Sequence, residues 1–266
     1  MIQNNPAFIK ELVDKIESTK FNKSVFEQTG IFIIKNAIPP ALIKEWKEEW
    51  NNFYEQNLLN ARNVNVYNPV ALQESLPDKL SLMYRNNILL DHVEEVFGEN
   101  IALYNHRFVI KDKFSSGEVF LHHDFCYQTG YPNKVSFFVP LSHSGKRNGG
   151  LTFYLGTHKY GYLGDAGEIQ ANHFKETWPE VTPDLEPGDF AIMNSLLWHK
   201  SGINEVGIDR VIADIIYQPA DDPSSRELLR GKWQTDIFLD RIESPIQFFK
   251  RSRISRIIDL ENKLKH

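Results

Sequence analysis

One cysteine, Cys126, stands among 266 residues. No internal disulfide framework is therefore available, and the chain fits a reducing compartment. Long apolar runs are missing as well: none approaches the roughly 20 residues that a membrane-spanning helix needs. Positive charge is not in excess, since 30 Lys and Arg stand against 35 Asp and Glu for a net charge of −5. That balance removes the general electrostatic case for binding nucleic acid or a membrane surface. Met1 to Lys15 carries polar and acidic side chains where a secretory signal needs an apolar core. There is no internal repeat and no low-complexity segment. These absences lead to the expectation of a cytoplasmic protein with no nucleic-acid partner and no membrane. The oligomeric state is left open.

What remains is the composition of an ordinary globular chain, 41% hydrophobic and 24% charged. Its length exceeds an average domain but suits a single barrel or sandwich. Asn5-Pro6 opens a capped amphipathic segment through Ile16. Ser24 is a candidate cap for a further helical turn ending at Gly30, followed by a short strand, Ile31–Ile34. Pro39-Pro40 starts a long helix whose apolar residues Leu42, Ile43, Trp46, Trp50, Phe53 and Leu58 recur at helical steps. Its tryptophans read as a core-facing stripe rather than a ligand platform. A second long helix is expected from Pro77 to Gly98, with Gly98 as its C-cap.

After Gly98 the texture changes to short β-rich runs: Ile101–Ile110, Val119–Leu121, Val135–Leu141, Leu151–Leu155, Phe190–Met193 and Val211–Tyr217. Gly-rich and Pro-Gly turns separate them. Helices followed by strands, without βα alternation, predict a mainly β fold with flanking α-helices, an antiparallel sandwich or barrel. The expectation is one domain, 1–266, with N-terminal helices over 1–98, a β core over about 99–220 and a C-terminal helical tail over 221–266. The tail is basic and amphipathic from Pro245 onward and is read as packing back on the core.

Phe120-Leu121-His122-His123-Asp124-Phe125 carries the chemistry. Side chains alternate along a strand, so His122 and Asp124 share one face while His123 takes the other. A strand-end hydrogen-bonded pair would account for these two residues alone. His199, far along the chain, lies just after the strand launched by Pro187-Gly188-Asp189. That separation is useless for a local zinc finger but suits a site built from distant strands. Two histidines and one carboxylate with open positions form the facial triad of non-haem Fe(II) oxygenases. Arg210 opens the apolar run Val211–Tyr217. A guanidinium buried there needs an anion, which a dicarboxylate co-substrate would supply through a bidentate pair.

His122-x-Asp124, His199 and Arg210 resemble the phytanoyl-CoA dioxygenase family of Fe(II)- and 2-oxoglutarate-dependent oxygenases, which includes the ectoine hydroxylases. The resemblance extends through Asn148-Gly149-Gly150-Leu151 and Gly156-Thr157-His158-Lys159 to His199-x-Ser201-Gly202-x-Asn204. It covers roughly residues 25–218. The implied fold is a double-stranded β-helix, or jelly roll, buttressed by the N-terminal helices. The implied cofactors are Fe(II) on His122, Asp124 and His199, with O2 and with 2-oxoglutarate as co-substrate on Arg210, assisted by Ser201. Asn105 and Lys111 fall where relatives place polar residues that touch the co-substrate, although Asn105 stands where ectoine-type members carry Gln. Phe125, Tyr127 and Gln128 would line the substrate mouth. The implied reaction hydroxylates an unactivated C–H of a small metabolite or biosynthetic intermediate and releases succinate and CO2. Related halogenases lose the carboxylate ligand, so Asp124 favours hydroxylation.

The remaining candidates read as structural. His106 falls on the strand face opposite Asn105, His158 supports the fold, and Cys126 packs without a partner constellation for nucleophilic catalysis. Two other functions are compatible with such a fold. A non-redox cupin-like binding or sugar-modifying protein would have no use for a buried anion clamp at Arg210. A peptide hydroxylase keeps the same site and differs only in substrate.

Overall fold

The computed structural model describes residues 5–57, 66–69, 75–112, 117–165, 167–170, 172–225 and 227–239. The first helix, α1 (Pro6–Lys10), begins as its sequence dictates: Asn5 accepts a hydrogen bond from the Ala7 amide at 3.0 Å, and Pro6 occupies the first turn. Strand β1 (Glu17–Ser18) follows. Helix α2 (Lys23–Thr29) is capped by Asn22 rather than Ser24, its side chain accepting from the Val25 amide at 3.2 Å. Gly30 ends it at φ 81°, a left-handed conformation that glycine adopts without a Cβ penalty. Strand β2 (Ile31–Ile34) is buried along its whole length.

Helix α3 (Pro40–Gln56) buries Ile43, Trp46, Trp50 and Phe53. The expected helix from Pro77 to Gly98 is instead broken in two. Helix α4 (Asp78–Ser81) stops, a 3-10 turn spans Met83–Arg85, and α5 (Asn87–Phe97) restarts. The break is local chemistry: Asn86 adopts an extended backbone, and its side chain accepts from the Ile88 amide at 2.9 Å, which makes it a new N-cap.

The remaining strands are β3 (Val66–Tyr67), β4 (Ile101–Lys111), β5 (Val119–His122), β6 (Val135–Pro140), β7 (Leu151–Tyr154), β8 (Glu180–Val181), β9 (Phe190–Asn194), β10 (His199–Ser201), β11 (Arg210–Pro219) and β12 (Glu227–Arg230). They form an eight-stranded sheet in the order β1-β2-β9-β6-β11-β4-β12, with β3 also on β4, and a four-stranded sheet in the order β5-β10-β7-β8. Among the described strands, only β1 and β2 pair in parallel. The two antiparallel sheets form the jelly roll. Strand β12 corrects the expected helical tail, because residues 227–230 extend the large sheet beside β4. The basic segment from Pro245 lies outside the described residues.

The helices cover the outer face of the large sheet. The Trp50 ring stacks on Phe108 of β4 at 4.3 Å between centroids, and Phe53 meets Tyr67 edge-on at 5.4 Å. Trp50 and Phe108 are buried, so the tryptophan stripe of α3 is core, as its spacing suggests. Among the described residues, no helix is long and apolar enough to cross a membrane.

Candidate active site

Strand β5 carries His122 at its last position, and β10 carries His199 at its first. The two are direct partners in the antiparallel register. Beyond β5 the chain stays extended for one residue, with His123 at φ −118° and ψ 148°, before Asp124 opens a 3-10 turn. That extended step returns Asp124 to the His122 side and sends His123 to the other. His123 is fully buried there, with Trp198 at 4.9 Å and Tyr162 at 5.3 Å between ring centroids.

His122, Asp124 and His199 converge so that one donor atom from each lies within 4.8 Å of the others. Asp124 Oδ1 is 3.6 Å from His122 Nε2 and 3.9 Å from His199 Nε2. The opposite nitrogen of each ring is held by a backbone carbonyl two residues earlier: His122 Nδ1 by Phe120 at 2.8 Å and His199 Nδ1 by Leu197 at 2.9 Å. With Nδ1 donating to a carbonyl, Nε2 is left as the lone pair, the usual posture of a metal-binding histidine. Burial, followed by the neighbouring His122, pushes His199 down to about 4, so it stays neutral. Burial alone would raise the Asp124 carboxyl, but His122 and Arg107 outweigh it and hold the group well below the usual carboxylate range. Imidazole nitrogens with a free lone pair and an ionised carboxylate are donors of the kind a divalent iron takes.

A cavity of about 290 Å³ opens in front of this triad, between the two sheets. Arg210, the first residue of β11, lines it and is completely buried. Among the described residues, none of its three guanidinium nitrogens has a hydrogen-bond partner. Burial pushes it down to about 10, still far above neutrality, so the cation is retained without a counter-ion. Ser201 lines the same cavity. Asn105 and Lys111 are not among its lining residues. Lys111 pairs with Arg210 across β4 and β11, and its ammonium donates to the carbonyls of Gly202, at 2.6 Å, and Gly117. Burial, then Arg210, lowers Lys111 to about 8. Of the three residues expected at the mouth, Tyr127 lines the cavity, and Phe125 and Gln128 do not.

The turn segments 148–151 and 156–159 support β10 and its surroundings from behind. Thr157 Oγ1 donates to the Tyr154 carbonyl at 2.7 Å and accepts from the Trp198 amide at 3.1 Å, one residue before His199. His158 Nε2 lies 3.2 Å from the Glu27 carbonyl, a fold-supporting contact. At Gly149 a Cβ would fall 2.4 Å from the Lys111 side chain, so the glycine leaves room for the lysine to reach Gly202.

Sequence reasoning missed one part of the site. Arg107 of β4 and Asp214 of β11 are register partners, and both line the cavity. Arg107 Nε donates to Asp214 Oδ2 at 2.6 Å, and Nη2 donates to Asp124 Oδ1 at 3.4 Å. Burial works against the Arg107 cation, but the two carboxylates outweigh it and raise its pKa. Burial pushes Asp214 up to about 6 despite Arg107. The available signal was strand alternation: Arg107 sits two residues from Val109, and Asp214 lies four from Arg210, so each shares a cavity-facing row.

A family model described as phytanoyl-CoA dioxygenase (PhyH) matches residues 26–211. No curated protein matches the sequence significantly. Among solved structures, the non-heme monooxygenase ThoJ shares 19% identity at a TM-score of 0.67, covering 91% of this chain and 98% of its own. EctD from S. alaskensis, crystallised with 2-oxoglutarate and 5-hydroxyectoine, shares 18% identity at a TM-score of 0.65, covering 88% of this chain and 90% of its own. The epimerase SnoN, in complex with Fe3+, alpha ketoglutarate and nogalamycin RO, shares 17% identity at a TM-score of 0.62, covering 91% and 96%. At these identities the likeness speaks for the fold.

Proposed function

The chain belongs to the phytanoyl-CoA dioxygenase (PhyH) family and is an Fe(II)- and 2-oxoglutarate-dependent oxygenase; from that premise we propose that it hydroxylates an unactivated C–H of a small molecule, with His122, Asp124 and His199 holding the iron and Arg210 the co-substrate. Iron with 2-oxoglutarate and O2, when bound, supplies the oxidising chemistry, and the co-substrate leaves as succinate and CO2. The protein contributes orientation and exclusion of water.

The buried guanidinium of Arg210 is the single observation that carries this reading. A fully buried cation with three unpartnered nitrogens is unstable unless a ligand completes it. The planar fork of arginine matches a carboxylate, and the donor triad lies on the same cavity wall. A dicarboxylate that reaches from Arg210 to the iron satisfies both. Ser201 adds a hydroxyl to the same cavity wall, and Lys111 acts indirectly by fixing the Gly202 carbonyl behind β10. Asn105, outside the lining, is given no contact. Asp124 fills the position that a halogenating enzyme would leave to halide, so oxygen insertion is the product class. The whole chain is read as one dioxygenase domain.

The test is succinate formation from 2-oxoglutarate with Fe(II), across a panel of small metabolites. Wild type should turn over, and His122→Ala and Asp124→Ala should lose both iron binding and succinate. Iron binding and turnover retained in both variants would overturn the assignment.

A further inference from the structure

The cavity wall holds several charged groups, yet among the described residues each is already committed. Asp124 belongs to the donor triad and Arg210 faces the co-substrate. Arg107 is the one further guanidinium in the wall, and it is bonded to Asp214 at 2.6 Å and to Asp124 at 3.4 Å. Lys200, whose neighbours His199 and Ser201 face the cavity, sets its ammonium over the Tyr154 ring at 5.3 Å. With Fe(II), 2-oxoglutarate, Arg210 and Asp124 in place, charges cancel at the metal end. Arg107 and Asp214 cancel each other beside it.

Among the described residues, the rest of the wall is apolar apart from the hydroxyls of Ser201 and Tyr127. Val109, Val119, Phe138, Leu151 and Ile212 line the cavity. Two of its lining side chains, Val66 at 39% and Tyr127 at 38%, are partly exposed, and Phe120, 54% exposed, lies against His122 at the edge of the triad. Phe120 and Tyr127 flank His122 with ring centroids at 5.8 and 5.9 Å. A charged substrate entering this cavity would give up its hydration without gaining a free counter-ion, whereas an apolar one gains by burial.

We propose that the part of the substrate delivered to the iron is uncharged and mainly apolar, and that the Arg107–Asp214 pair is what keeps carboxylate-bearing molecules out. Asp214 is a specificity residue on this reading: it neutralises a guanidinium that would otherwise be a ready carboxylate receptor. The inference rests on the 2-oxoglutarate oxygenase reading above.

Three probes of matched size separate the possibilities: cyclohexanol, cyclohexanecarboxylate and cyclohexylamine. Each is titrated under argon into full-length protein loaded with Fe(II) and 2-oxoglutarate. Paramagnetic broadening of the probe's proton resonances reports binding beside the metal. Calorimetric titration of 2-oxoglutarate into protein loaded with Fe(II) alone comes first. If 2-oxoglutarate fails to bind, the oxygenase reading itself falls, and the substrate inference with it. With 2-oxoglutarate bound, cyclohexanol should bind at least tenfold more tightly than either charged probe. In Asp214→Asn, cyclohexanecarboxylate should gain at least tenfold, because Arg107 then keeps only the Asp124 contact. Preference of wild type for the carboxylate would make Arg107 a substrate clamp, and preference for the amine would make Asp214 a cation receptor. Either result overturns the proposal, as would failure of all three probes to bind, or a Asp214→Asn variant with unchanged carboxylate affinity.

Discussion

His122 and His199 face one another across the antiparallel pair of β5 and β10, with ring centroids 4.4 Å apart. Each ring is turned by a carbonyl of its own strand segment, two residues back. The pairing explains how candidate ligands distant in sequence are placed without a local motif: sheet register does what a short loop does in a zinc finger. The third candidate, Asp124, is brought round by one extended residue, His123. The opposing sheet completes the cavity, with β11 bringing Arg210, Ile212 and Asp214 along one row.

Arg210 gives the first prediction, and its sign differs from that of an ordinary buried residue. Removing a well-paired buried group destabilises a protein, but Arg210 is unpaired and carries the full cost of burying a charge. Arg210→Met keeps the aliphatic bulk and removes the charge. Its unfolding midpoint without ligands should equal or exceed that of wild type. In the presence of Fe(II), 2-oxoglutarate should stabilise wild type but not the variant. Loss of a charge-assisted bidentate contact corresponds to about 1.5–3 kcal/mol, or roughly 10- to 100-fold in 2-oxoglutarate affinity. An unchanged 2-oxoglutarate affinity in calorimetry would remove Arg210 from the site.

How far the site could be read from sequence follows from which residues interact along the chain and which across it. His122-x-Asp124 needs only strand alternation, which operates within three residues. His199 and Arg210 stand out because a histidine and an arginine interrupt apolar β-rich segments. The Arg107–Asp214 pair was invisible by the same logic. Each is a lone charge in a strand, and only the β4–β11 register, with its bulge after Ile216, shows that they are opposite. The N-terminal helices were legible from periodicity and caps. The break at Asn86 was not, since the apolar spacing runs on through Met83 and Ile88 while the side chain of Asn86 competes for the backbone. Strand β12 was missed because its burial is partial throughout, and its only partner is the edge of β4.

Arg107 and Asp214 are expected to be coupled energetically. Arg107→Met leaves Asp214 as a buried carboxylate without its 2.6 Å partner and removes a donor from Asp124. Breaking one side of a buried pair typically costs about 3–5 kcal/mol. Replacing both sides removes the uncompensated charge, so Arg107→Met/Asp214→Asn should recover more than half of that loss. Denaturant unfolding of the two single variants and the double variant gives the coupling directly. Strict additivity would show that the two side chains do not stabilise one another in solution.

The last prediction concerns acid, and it rests on a histidine remote from the metal ligands' own faces. His106 projects from the outer face of β4 among the rings of Tyr84, at 5.8 Å, and Phe108, at 5.1 Å. It is 5% exposed, its Nε2 has no partner, and burial pushes it from 6.5 down to about 3. Above pH 6.5 it is neutral in both the folded and the unfolded chain, and the shift has no effect on stability. As pH falls below 6.5 the unfolded chain binds a proton that the folded protein refuses, so stability is lost progressively down to about pH 3. The full shift corresponds to a loss on the order of 4 kcal/mol from this one ring. His158, which burial pushes down to about 4, contributes in the same window. His106→Phe keeps an aromatic ring between Tyr84 and Phe108 and removes the titration. Unfolding free energies measured between pH 7 and pH 4.5 should therefore fall less steeply for His106→Phe than for wild type, with the two curves closest in shape above pH 6.5. Parallel curves across the whole range would show that His106 accepts its proton without unfolding the site it packs in.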